Sequence, residues 1–308
     1  MSAAIDTTTS DTTNTDTWTY FEGRWQAGNA PIMGPRTHAA WLGSTVFDGA
    51  RTFGGAAPDL DLHCARVNTS AEAFLLEPQV SVADWMALAH EGIARFEPGA
   101  ELYIRPMYWP EHGAAGGGVR FDPASTRWCL CIYRAPMPEP KGFAITLSPF
   151  RRPTIETAPV DAKAGCLYPN GARALIEAFR RGFGNCLMLD MLGNVAELAN
   201  SNIFMAKGGV VYTPVPNGTF LDGITRRRVI ALLEADGVEV RQVTLKAADF
   251  LAADEIFASG NFAKVVPINR IEARELPIGP IYRRARELYW AFAARNAMTV
   301  SRAPAPAP

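Results

Sequence analysis

The segment Arg134–Lys141, RAPMPEPK, constrains the fold of this chain more than any other stretch. Proline lacks an amide donor and pushes the residue before it out of helical conformation. With prolines at 136, 138 and 140, the segment can join neither a helix nor a sheet ladder. It reads as a linker over residues 135–141 between a small N-terminal domain, 18–134, and a larger one, 142–302. The chain has 308 residues, 48% of them apolar, which is enough to bury a core on each side of the linker. Residues 1–17 are mostly Thr, Ser, Asp and Ala, and 303–308 alternate Ala and Pro. Both are expected to be disordered tails, because they hold too little apolar surface to offset the entropy of ordering.

Periodicity gives the elements. A short hairpin is expected around Trp18–Gln26, helices over Asp59–Leu75 and Val82–Phe96, and strands at Leu102–Trp109 and Trp128–Tyr133. Beyond the linker, strand Phe143–Ser148 leads through a loop to helix Gly171–Arg181. Four short strands lie between Cys186 and Thr213, with turns at Gly193-Asn194 and Gly208-Gly209. The helix opening at Gly223, strand Glu239–Val243, helix Ala247–Ala252, strand Glu255–Ser259 and a helix around Tyr282–Arg295 complete the chain. Strands arrive in groups rather than in βαβ alternation, so the fold class is α+β.

Composition excludes several functions. A formal charge of −1 offers no field for a polyanion, so nucleic acid is not an expected partner. No apolar run reaches membrane-spanning length and no start resembles a signal peptide, so a cytoplasmic protein with no membrane partner is expected. The four histidines and five cysteines show no metal-ligand spacing, and no metal is expected. Cys129-x-Cys131 reads as buried strand, and GAAGGGV (113–119) as a mobile loop rather than a nucleotide cradle.

Five lysines stand against twenty-five arginines. Lys141, Lys207 and Lys246 sit at a linker, a turn and a helix start, where a solvated charge is the ordinary reading. Lys264, in GNFAKVVP, can point outward from a strand. Lys163, in VDAKAGCLYPNG, lies among small and apolar neighbours. There an ammonium is costly, and burial would lower its pKa and make it a nucleophile toward carbonyls. Taken alone, Lys163 reads more readily as a surface lysine in a loop than as a nucleophile.

Four motifs occur in order: KAGCLY (163–168), AELANSNIF (196–204), DGITR (222–226) and SGN (259–261). Over roughly Trp18–Phe292, the chain resembles the fold type IV pyridoxal-5′-phosphate (PLP) enzymes, and most nearly their branched-chain amino acid aminotransferases. The resemblance implies a homodimer of two-domain subunits with PLP at the domain junction. It makes Lys163 the lysine that condenses with the cofactor aldehyde and then carries the proton. Glu197 becomes the partner of the pyridine nitrogen, and Tyr168 bonds the phenolate oxygen. Gly223, Ile224, Thr225 and Arg66 would hold the phosphate, with Gly260 and Asn261 beside it. Without the resemblance, Glu197 would be a surface residue on a hairpin, Tyr168 a half-buried loop residue, Gly223–Thr225 a plain helix cap and Arg66 a solvated helix charge.

On the substrate side, Tyr103 and Arg105 in LYIRPMYW match a "YIRP" strand, and Phe47, Gly49 and Arg51 a "FEGxR" turn. An arginine on an apolar strand suits a dicarboxylate co-substrate. The expected partners are thus an apolar, branched-chain L-amino acid and 2-oxoglutarate, exchanged by ping-pong transamination. Three features depart from the pattern: Leu42 in place of a tyrosine, Asp48 in place of a glutamate, and Asn261-Phe262 in place of threonine and a small residue. They leave (R)-amine or D-amino-acid transamination, and more remotely a PLP lyase or a non-catalytic binding protein, as alternatives.

Overall fold

A computed structural model of the chain describes residues 16–295. Most of the expected tails, 1–15 and 303–308, lie outside the described residues. The N-terminal tail ends earlier than expected, because Thr17 already opens the first strand and Asp16 pairs with Arg134 at 3.3 Å.

The first sheet comprises β1 (Thr17–Phe21), β2 (Arg24–Ala27), β3 (Val46–Phe47), β4 (Ala50–Arg51), β5 (Leu102–Pro110) and β6 (Thr126–Arg134). Its strands pair antiparallel in the order β2-β1-β6-β5-β3, with β4 also on β5. The short α1 (His38–Leu42) precedes β3, and α2 (Leu60–Ala73) and α3 (Val82–Ile93) cover one face. Ser81 caps α3 by accepting the Asp84 amide. At the centre of this core is Trp85, fully buried, edge-on to Tyr108 and Trp128, with its indole N–H donating to Asn68 at 3.0 Å. Truncating such a side chain to alanine costs roughly 3–5 kcal/mol.

Residues 135–142 carry no helix or strand. After them come β7 (Phe143–Arg151), α4 (Tyr168–Arg180), β8 (Asn185–Leu189), β9 (Val195–Leu198), β10 (Asn202–Lys207), β11 (Val210–Pro214) and α5 (Ile224–Ala235). The chain continues through β12 (Val240–Val243), α6 (Ala247–Leu251), β13 (Glu255–Gly260), β14 (Lys264–Ile271), β15 (Arg274–Glu275) and α7 (Pro280–Arg295). The second sheet runs β12-β11-β10-β13-β14-β7-β8-β9, with β15 beside β14 and both parallel and antiparallel pairs. Alternate residues of one strand serve two cores. Ile203 and Met205 of β10 join Phe250 and Ile256 on one face. Phe204 and Ala206 join Val229, Leu233 and Tyr289 on the other, where Phe204 stacks on Phe257 at 4.9 Å. Burial on both faces explains why these strands read as continuous apolar runs.

Two elements differ from expectation. Helix α4 starts at Tyr168 rather than Gly171, because Pro169 sits in its first turn, where a missing N–H costs nothing. Strand β14 is an element that periodicity does not single out, and Lys264 at its start is fully buried rather than outward-facing.

Candidate active site

The loop from β7 to α4 lies against the first sheet. The Lys163 amide donates to Ser70 Oγ at 3.1 Å, its carbonyl accepts from the Phe47 amide at 3.1 Å, and the Gly165 amide donates to the Thr45 carbonyl at 2.8 Å. A Cβ on Gly165 would collide with Thr45 Oγ1, so a larger residue here would force the Thr45 hydroxyl to move. This docking fixes the direction of the Lys163 side chain, whose Nζ donates to the Tyr168 hydroxyl at 2.8 Å. Burial pulls the Lys163 ammonium down, but Tyr168 and then Tyr103 and Asp48 offset both burial and Arg66, leaving it above the ordinary lysine value. The depressed lysine expected from apolar sequence neighbours is therefore corrected. Tyr168, from the same sequence window, and Tyr103 and Asp48, from the first sheet, together set its charge.

Glu197 projects from β9 and is buried. Its carboxylate meets Arg152 Nε at 3.3 Å and accepts from Asn202 Nδ2 at 3.3 Å. Burial raises its pKa to about 7, with Arg152 and Lys163 pulling the other way. Two long contacts do not replace full hydration, so Glu197 is a buried acid lacking a strong partner.

A third group lines the same cavity at the N-terminus of α5. Gly223 is the N-cap, Ile224 and Thr225 form the first turn, and no side chain caps the helix. A Cβ on Gly223 would strike Asn202 Oδ1. Beside them is Arg66, which donates from Nε to Asp48 Oδ2 at 2.6 Å and from an η nitrogen to Oδ1 at 2.9 Å. Asp48, wholly buried, also accepts from the Gly49 amide and from His63 Nδ1, both at 2.6 Å. Burial works to raise the Asp48 carboxyl, but Arg66 and His63 overcome it and hold the group well below the usual carboxylate range. With Nδ1–H committed to Asp48, His63 Nε2 is left buried and without a partner among the described residues, as are Ser259 Oγ and Asn261 Nδ2. All three residues line the cavity. Buried polar atoms left unmatched in a cavity imply a polar occupant.

The substrate-side residues adjoin this cavity through Phe47, whose ring centroid lies 5.1 Å from that of Tyr168. The Arg105 guanidinium lies 6.0 Å from the Phe47 ring, 5.3 Å from Tyr103 and 5.1 Å from Tyr133, and donates to the Tyr133 hydroxyl at 2.5 Å. Arg51 and Phe262 are placed differently. Arg51 is fully buried, and its guanidinium donates to the carbonyls of Phe262 and Ala135. The Phe262 side chain is 60% exposed. Phe47, Arg51, Tyr103, Arg105 and Phe262 all lie outside the cavity lining, whereas Arg66, Lys163, Tyr168, Glu197, Gly223, Ile224, Thr225, Gly260 and Asn261 all line it.

A sequence profile described as amino-transferase class IV matches residues 45–271. The chain belongs to the class IV aminotransferases. A probable branched-chain-amino-acid aminotransferase of Aquifex aeolicus is 28% identical over 282 residues, covering 88% of this chain and 90% of that one. An aminotransferase from Brucella abortus, its crystal structure bound to the co-factor PLP, superposes with a TM-score of 0.89 at 56% identity. That match covers 90% of this chain and 99% of the other. The T.th. branched-chain amino acid aminotransferase, complexed with N-(5′-phosphopyridoxyl)-L-glutamate, matches at TM-score 0.83 and 28% identity, covering 94% and 96%.

Three residues that the structure brings to this site, Arg152, His63 and Asn202, are not singled out as functional by the sequence. Arg152 belongs to no motif and reaches Glu197 only because the chain leaves β7 at that point. His63 drew notice only for its lack of metal spacing, yet its position three residues before Arg66 puts both on the face of α2 that meets Asp48. Asn202 sits inside a recognised motif but bonds Glu197 across a turn. The spacing of His63 and Arg66 on one helix face was the available clue.

Proposed function

We propose that this aminotransferase exchanges an amino group between a branched-chain L-amino acid and 2-oxoglutarate, with PLP in the cavity lined by Lys163, Glu197 and Thr225. The observation that carries the reading is the 2.8 Å contact of Lys163 with Tyr168, in a cavity that also holds a buried acid and an uncapped helix N-terminus. The donor set fits the cofactor's chemistry. Unmatched donors at Ser259 and Asn261, the α5 amides and Arg66 suit a phosphate; Glu197 suits a protonated ring nitrogen. PLP supplies an electrophilic carbon and an electron-withdrawing ring.

The chain's own residues do the rest. Lys163 holds and returns the proton moved during amino transfer, and Tyr168 fixes the Nζ position. Glu197, with a pKa near neutrality and few competing partners, keeps a proton at the ring nitrogen. Phe47, Tyr103 and Tyr133 offer an apolar wall, and Arg105 offers the charge that a second carboxylate needs. The relatives named as branched-chain aminotransferases, and the glutamate adduct held by one of them, support this substrate pair. We further infer a domain junction at 135–141 and a homodimer, which would cover exposed apolar side chains such as Trp41 and Phe262.

The test is a donor panel in both enantiomers with 2-oxoglutarate or pyruvate as acceptor. L-leucine, L-isoleucine or L-valine with 2-oxoglutarate should give the highest kcat/KM. A preference for an (R)-amine or D-amino acid with pyruvate would overturn the substrate assignment while leaving the cofactor chemistry standing.

A further inference from the structure

A second lysine is buried behind the cavity. Lys264 has no exposed surface, begins β14 with a left-handed backbone (φ 59°), and does not line the cavity itself. Its surroundings are the rings of Phe53 and Tyr289, 6.0 and 5.8 Å from Nζ. Among the described residues, its side chain makes one hydrogen bond, from Nζ to Asn261 Oδ1 at 2.6 Å. Burial, the largest influence, and Arg51 lower its pKa; Asp59 and Asp48 pull upward, Arg66 pulls down, and the outcome is about 7. A lysine in either charge state can donate this bond, so the contact persists through the titration.

The bond decides which way the Asn261 amide faces. In its ammonium form Lys264 donates and does not accept, so it is the carbonyl oxygen of Asn261 that turns to Lys264, as the 2.6 Å contact has it. The amide nitrogen is then turned away, and it is this Nδ2 that is buried without a partner in a residue lining the cavity. Arg51 braces the same turn by donating to the Phe262 carbonyl. Two buried cations therefore hold the β13–β14 turn from behind, one at its backbone and one at its asparagine side chain. A surface turn would need neither.

We propose that Lys264 is a positioning residue that locks the Asn261 amide with its N–H directed at the phosphate of the bound cofactor, beside Arg66 and Thr225. The proposal rests on the PLP reading above. It also accounts for the pairing of the asparagine with a lysine three residues later, because the amide, unlike a hydroxyl, has two ends that must be told apart.

The experiment compares Lys264→Met, Lys264→Gln, Asn261→Ala and the Met/Ala double variant with the wild-type enzyme. Dissociation constants are measured by equilibrium dialysis for pyridoxamine 5′-phosphate and for pyridoxamine, and the ³¹P resonance of the bound phosphate is recorded. Loss of a hydrogen bond to a charged group predicts that Lys264→Met weakens the phosphorylated ligand about tenfold. Pyridoxamine binding should be unchanged and the ³¹P signal should move. Lys264→Gln, which keeps a donor, should restore much of the affinity. In the Asn261→Ala background, Lys264→Met should add little. Equal weakening of both ligands, an undiminished effect in the Asn261→Ala background, or a rise only in the KM of the oxo acid would overturn the role. A wild-type enzyme that does not favour the phosphorylated ligand would overturn the cofactor assignment first, and this role with it.

Discussion

Two buried carboxylates mark the two ends of the site, and they are treated in opposite ways. Asp48 accepts four hydrogen bonds of 2.6–2.9 Å, from Gly49, His63 and both nitrogens of one Arg66 fork. Its charge is fully matched, and its pKa is driven down. Glu197 has two partners, each at 3.3 Å, and its pKa is driven up to about 7. The difference is one of function. A saturated carboxylate fixes the position of its neighbours and has nothing left for a ligand. An undersaturated one is a poor structural element but can still take a cation from the cavity.

The largest effect tests whether the chemistry resides at the undersaturated end. Lys163→Ala should lower turnover on the order of 10³–10⁴-fold, since in the proposed function the residue both anchors the cofactor and moves the proton. Borohydride reduction of wild-type enzyme followed by peptide mapping should mark Lys163, and the variant should carry no mark. A mark on Lys264 in the variant would transfer the anchoring role to the second buried lysine.

Exchanging each carboxylate for its amide should then separate the two ends. Asp48→Asn leaves Arg66 and His63 facing a neutral group and should cost about 3–5 kcal/mol of stability. Glu197→Gln removes a charge that was poorly solvated, so stability should hold or rise, while turnover falls about a hundredfold or more. Denaturant melts and steady-state kinetics on both variants provide the check. Similar stability losses in the two would erase the contrast.

What could be read in advance divides along the same line. Lys163, Tyr168, Glu197 and the Gly223–Thr225 turn, the groups proposed to meet the cofactor, lie in motifs, where residue type and spacing can be read directly. The supports are not. Asp48 stood out in the sequence only as a departure from glutamate, and its partners His63 and Arg66 come from a helix more than ten residues on. Lys264 looked like an outward residue because alternation on a strand gives two faces, and here both faces of the sheet are covered. The fold class and most elements followed from periodicity. The start of α4 did not, since proline reads as a break until it is placed in a first turn.

The pH dependence of the cofactor-free protein should show both ends at once. Burial lowers His63 to about 4, so the unfolded chain takes up a proton below pH 6.5 that the native protein refuses, and stability falls as pH drops from about 6.5 toward 4. Glu197 acts in the opposite sense. Its raised pKa gives stability that is fully present below the ordinary glutamate value and lost as pH rises through about 7. Each contribution is on the order of 3–4 kcal/mol, from a shift of about 2.5 units at about 1.4 kcal/mol per pKa unit. Melts from pH 4 to 8 should therefore flatten on the acid side in His63→Gln and on the neutral side in Glu197→Gln. A curve unchanged in either variant would show that the group titrates alike in both states.

The smallest effect concerns Arg105, which adjoins the cavity through Phe47 and Tyr168 and belongs to neither carboxylate. Its guanidinium is stacked among three rings, tied at one η nitrogen to Tyr133, and buried without a partner at Nε. That leaves donor capacity in an otherwise aromatic pocket. An apolar side chain can rest on the rings, and the distal carboxylate of 2-oxoglutarate can take the free donors, so one pocket serves both half-reactions in turn. Removing one partner of a buried, hydrogen-bonded charge pair costs roughly 2–5 kcal/mol, so Arg105→Ala should raise the apparent binding constant for 2-oxoglutarate at least about tenfold. The half-reaction with leucine should change much less, because it loses packing area and no ion pair. Stopped-flow measurement of the two half-reactions reads the ratio directly. Equal losses would mean that Arg105 holds the carboxylate common to all substrates, or only the fold around Tyr133, and the specificity would then lie elsewhere in the pocket.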